Sequence, residues 1–126
     1  MNCTNLRAVT ITINMNDLRK RIMFGLNHAA DNMVLQSVYG RGLNNDGIEG
    51  VLRIHNIFFP GEDVARAIEK PEYIMDRAKS IMIDAWSGLT EEKEPPLEKL
   101  LEVEKLLFRY RYENWFEEKY ERSIYV

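Results

Sequence analysis

Cysteine is almost missing from this chain: Cys3 is the only one in 126 residues. No disulfide can close within one chain, so a hydrophobic core must hold the fold. That usage fits a reducing compartment, and the expected location is cytoplasmic. No run of 18 apolar residues occurs, as a membrane-spanning helix would need. The first residues, "MNCTNLRAVTITINMNDLRKR", show no basic start followed by an apolar run and a small-residue cleavage site. A large excess of charge is also lacking. Seventeen basic against 20 acidic residues leave a net charge of −3, whereas surfaces built for duplex nucleic acid are basic. Low-complexity segments and internal repeats are absent. Hydrophobic residues make up 45% and charged residues 29%, the balance of an ordinary globular domain rather than a disordered one. The length suits one domain, residues 1–126.

Catalytic patterns are missing too. Histidine occurs only at His28 and His55. His28 and Asp31, three apart on an expected helix, make too poor a ligand set for zinc. His55 sits among apolar residues, as a core or edge histidine does. The stretch "GRGLNNDGIEG" holds a Gly-x-Gly, but neither dinucleotide nor P-loop spacing, and "DGIEG" lacks the alternating oxygens of a calcium loop. Asp76 and Asp84 lie eight residues apart, roughly 12 Å along a helix, too far to act as one acid–base pair. "AWSGL" ends a helix and forms no nucleophile elbow. Cys3 has no neighbouring cation in sequence to activate it. No catalytic residue, metal or cofactor is expected, and the chain reads as a non-enzyme.

What is present is secondary-structure pattern. Residues 6–13, "LRAVTITI", alternate, with Val9, Ile11 and Ile13 on one face, and read as a strand. Leu18, Ile22, Leu26, Ala29/Ala30 and Met33 then recur at three and four, which predicts a helix over about 17–39, capped by Asn16 and stopped by Gly40. Gly25 is a candidate break within it. Residues 40–50 hold four of the seven glycines and the Asp46-Gly47 turn signal, so they read as a loop. "VLRIHNIFF" is ambiguous. It is assigned to a strand at 51–58, because the first strand needs a hydrogen-bonding partner. A short helix is expected over 62–69 after Pro60-Gly61, another over 71–87 opened by Pro71, and "TEEKEPP" as a solvated linker. A last helix is expected from Pro96 to about Arg122, roughly 39 Å long.

The expected fold class is therefore α+β with helix dominant. A small antiparallel element, residues 6–13 with 51–58, is packed by three to four helices. A mostly-α chain that pairs its strand with another copy is the alternative.

The end of the chain carries the strongest composition bias. "FRYRYENWFEEKY", residues 108–120, has six aromatics among charges of both signs. From 109 to 122 those charges cancel, so a groove tracking phosphates is not indicated. Aromatics and arginine are the residues that carry interface energy. Burying one aromatic contributes roughly 2–3 kcal/mol, against about 0.2–0.5 kcal/mol for an exposed i,i+4 ion pair. Tyr110, Arg111, Trp115, Phe116 and Tyr120 are thus the candidate partner-binding residues, on a helix expected to join a homo-oligomer or another protein. The alternative is a small anionic, nucleotide-like ligand held by Arg41, Arg109 and Tyr112. "LRKRI", residues 18–22, points its three cations in different directions and reads as a solvated face. Small motif-free chains of this kind include inhibitors, immunity proteins and accessory proteins of phages or mobile elements. That analogy rests on size alone.

Overall fold

The computed structural model describes residues 13–109 and 114–118. The first element is helix α1, Met15–Val38. Its cap is Asn14, two residues before the expected Asn16, with the side-chain oxygen accepting the Asp17 amide at 3.1 Å. Leu18, Ile22, Leu26, Ala29, Ala30 and Met33 are buried at the expected spacing. The helix runs straight through Gly25 and ends before Gly40, whose φ of 75° suits a residue without a Cβ.

Residues 40–50 are not a loop. They contain a short strand β1, Arg41–Leu43, and the first turns of helix α2, Asn45–Phe58. Residues 51–58, expected as a strand, are helical. The buried set Gly47, Gly50, Val51, Ile54, His55 and Phe58 shows why, because it recurs at three and four residues rather than two. Asn44 caps this helix, its side chain accepting the Gly47 amide at 2.8 Å. Asp46, read as part of a turn, is instead the acid of the first helical turn, where the macrodipole favours it.

A short helix α3, Ala65–Glu69, precedes α4, Pro71–Trp86, which opens on its proline and stops before Gly88 at φ 74°. Helix α5 covers Leu97–Arg109. The expected helix to Arg122 does not form. Beyond the undescribed residues 110–113, the chain at Phe116–Glu118 is a strand, β2. It pairs antiparallel with β1 in the register Arg41↔Glu118, Gly42↔Glu117, Leu43↔Phe116. The fold is thus helix-dominated α+β with one small antiparallel sheet, as expected in class, but the sheet is built from other residues than 6–13 and 51–58. The expected strand over residues 6–12 lies outside the described residues.

One hydrophobic cluster joins α1, α2, α4 and α5. Helix α4 packs antiparallel to α1, with Lys79 Nζ donating to Asn27 Oδ1 at 2.8 Å and Lys20 lying 5.5 Å from the Trp86 ring. Helix α5 runs beside α1 in the same direction. Arg21 meets Glu104 at the start of the contact, and a Cβ on Gly25 would lie 3.0 Å from Leu107 and 3.1 Å from Phe108 near its end. The glycine sets how closely the two helices approach. The linker before α5 is anchored rather than solvated. Glu94 takes a two-pronged bond from Arg19, at 2.7 and 2.8 Å, with only 9% of its side chain exposed. That hydrogen bond and charge hold the Arg19 guanidinium above its usual range.

Candidate interaction surface

The sequence places its candidate residues on the C-terminal helix, and the structure separates them. Trp115 is 2% exposed. It cannot serve as an open contact and belongs to the core. Its ring lies along α2, where a Cβ on Gly50 would come within 2.9 Å of the ring atom Cε2 and one on Gly47 within 2.8 Å of the Trp115 Cβ. Two glycines on one helical face thus form a slot for one indole. The backbone beside it is clamped by Asn44, whose amide donates to the Trp115 carbonyl at 2.7 Å and whose side-chain Nδ2 donates to the Asn114 carbonyl at 2.7 Å. Phe116 is half-buried and packed against the same core. Tyr110, Arg111, Tyr112 and Tyr120 lie outside the described residues, and Arg109 is described only as the last residue of α5.

The slot explains why the helix stops. On α5, Leu97, Leu101 and Phe108 form one stripe and are exposed, while Leu100, Val103 and Leu107 form the buried one. A helix continued past 109 would carry Trp115 on the same stripe as Phe108, outside the core. Leaving the helix lets the indole be buried, a gain of a few kcal/mol.

Arg41, the other candidate for anion binding, donates to Gln36 Oε1 at 3.0 Å and lies 6.0 Å from the Tyr39 ring. It lines a cleft of 440 Å³ together with Glu69, Glu72 and Glu117. Three carboxylates against one guanidinium make a poor anion site. A second cleft, of 270 Å³, runs past Trp115 between Asp46, Glu49, Arg53 and Asn114, and its charges are partly spent on the Arg53–Glu49 pair. Among the described residues no three His, Cys, Asp or Glu side chains gather as metal ligands would, and no helix is long and apolar enough to cross a membrane. His55 is buried, with Nδ1 3.2 Å from Asn56 Oδ1 and its ring against Phe59, a packing histidine as expected.

The surface that stands out is on α1. Phe24 is 62% exposed, Leu35 49%, Val38 76% and Tyr39 65%. They lie opposite the core stripe Leu18–Ile22–Leu26–Met33, so α1 carries exposed apolar residues, interleaved with Arg21, His28 and Asp31, outside its core face. Phe24 packs its ring on His28 at 4.3 Å between centroids. Exposed Phe108, beside Gly25, and exposed Trp86, beside Lys20, lie against α1 on its α5 and α4 sides. Sequence periodicity pointed to this helix's core stripe and passed over the remainder. The signal was there: Phe24, Leu35 and Val38 are apolar residues that the core stripe does not use. The "LRKRI" cations are not simply solvated but each engaged: Arg19 by Glu94, Arg21 by Glu104 at 2.5 Å, Lys20 by the Trp86 ring. The carboxylates also offset the cost of placing cations near a helix N-terminus.

No family model, no curated protein and no solved structure matches this chain.

Proposed function

We propose that this chain is a small non-enzymatic binding protein whose outer face of α1 docks a second protein molecule. The observation that carries this reading is the set of large apolar residues on the outer side and end of α1, Phe24, Leu35, Val38 and Tyr39, all about half exposed or more. Solvent-facing aromatic and aliphatic residues grouped along one ridge, flanked by Phe108 and Trp86, mark interaction sites rather than ordinary surface. The action of such a protein is to occupy or organise a partner, as an inhibitor, immunity factor or regulatory accessory does. The candidate contacts therefore move from the aromatic C-terminal segment to α1, since Trp115 is committed to the core.

The test is site-specific photocrosslinking in the cells the protein comes from. Benzoylphenylalanine at position 24 or 35 should yield discrete protein adducts. The same group at Lys99, exposed on a different face, should yield none. Absence of adducts from both ridge positions in a folded chain rules the reading out.

A further inference from the structure

The order of residues along the α1 ridge identifies what covers it. Arg21, Phe24, His28, Asp31, Leu35 and Val38 are all exposed, and they step by three, four, three, four and three. That is the a/d spacing of a helix-pairing seam. In an antiparallel pair each a position faces a d position of the other helix. Laid against itself in reverse, the series sets Phe24 against Leu35 of the second copy and His28 against Asp31 of the second copy. Arg21 meets Val38, whose side chain packs on the arginine stem. A twofold axis repeats every pair, so the ridge is complementary to itself, as an isologous interface requires.

We infer that the occupant of this ridge is a second copy of the chain, its α1 antiparallel to the first, with the twofold axis between His28 and Asp31. This rests on the reading of α1 as a docking face. Neither the His28 nor the Asp31 side chain forms a hydrogen bond or ion pair with another described residue, His28 having only the Phe24 ring beside it. In the pair, an imidazole N–H donates to the facing carboxylate twice, once on each side of the axis. The alternatives are worse for stated reasons. Sliding by a heptad sets Leu35 against Asp17 or against Asp31, desolvating a carboxylate with no partner. A parallel pair sets Asp31 against Asp31. A single polar pair at the centre of a seam fixes register and orientation in this manner. The seam from Arg21 to Val38 is roughly 25 Å long. Phe108 at its edge widens the contact toward the roughly 800 Å² per partner of a stable interface.

Sedimentation equilibrium on the full chain carrying Cys3→Ser, which removes disulfide artefacts, should show a dimer at about 100 μM, where a micromolar pair is almost fully associated. Asp31→Lys places a lysine against His28, and His28→Glu places two carboxylates together. Each alone should weaken association by at least about tenfold, with circular dichroism unchanged because both positions are exposed. An equimolar mixture of the two variants should regain the dimer. Phe24→Cys and Leu35→Cys should form a disulfide only when mixed, since each residue lies roughly 16 Å along the seam from its own counterpart. A monomeric parent protein, a mixture that stays monomeric, or crosslinking by either cysteine variant alone overturns the inference. A monomer that still gives adducts from position 24 to a different protein leaves the docking-face reading intact and removes only the second copy.

Discussion

Gly50 has no side chain, and that absence positions the bulkiest buried residue of the molecule. A Cβ there would press into the Trp115 ring, which is almost fully buried. Gly50→Ala should gain up to about 1 kcal/mol in helix propensity and lose about 1–3 kcal/mol to overpacking, for a net destabilisation visible as a lower urea midpoint. Trp115→Leu, with its smaller side chain, should relieve the clash. The double variant should then lose less than the sum of the two singles, because the residues touch. Additive losses would separate the glycine from the indole. The same slot shows why a residue-level reading of glycine misleads here. Gly47 and Gly50 stand next to Asn44, Asn45 and Asp46 and look like turn chemistry, yet their purpose is close approach, which sequence neighbours do not reveal.

Asn44 does for an element what Gly50 does for a residue. Its side-chain oxygen caps α2, its Nδ2 holds the Asn114 carbonyl, and its amide holds Trp115. Asn44→Ala removes a cap worth about 1 kcal/mol and a hydrogen bond of similar net value. A loss of about 2 kcal/mol in chemical denaturation is expected. Asn44→Asp keeps the capping oxygen but turns an oxygen toward the Asn114 carbonyl, so it should recover only part of that loss. Full recovery would show that the cap alone matters. Helices α1 and α4 and the start of α5 were legible because apolar residues at three and four, Pro71, Pro96, Gly40 and Gly88 all agree on those limits. Helix α2 was not, since its residues 51–58 hold apolar side chains at spacings that also fit a strand. The need to pair the expected strand at 6–13 tilted the choice, whereas the sheet of the described residues joins Arg41–Leu43 to Phe116–Glu118.

Across the whole molecule, a single cluster includes Trp115 from the C-terminal segment and Leu18 from the start of α1. Unfolding should therefore be one event. In a Trp86→Phe background, where Trp115 is the only fluorophore of its kind, the fluorescence and far-ultraviolet circular dichroism transitions in urea should coincide. A fluorescence change at lower urea would mean that the β1–β2 clasp opens independently of the helices. The outer face of α1 belongs to this scale as well. It became visible only when α4 and α5 were seen to flank one side of the helix and leave Phe24, Leu35 and Val38 uncovered.

The amino-acid order alone determined the helix-dominated class, helices α1 and α4 and the start of α5, because these depend on spacing and residue type within a dozen residues. Tertiary structure decided where the last helix stops, which aromatic is buried and which face of α1 is left open. Those outcomes turn on competition between distant segments for one core: a slot lined by Gly47 and Gly50 draws Trp115 out of a helix that local preference would have continued.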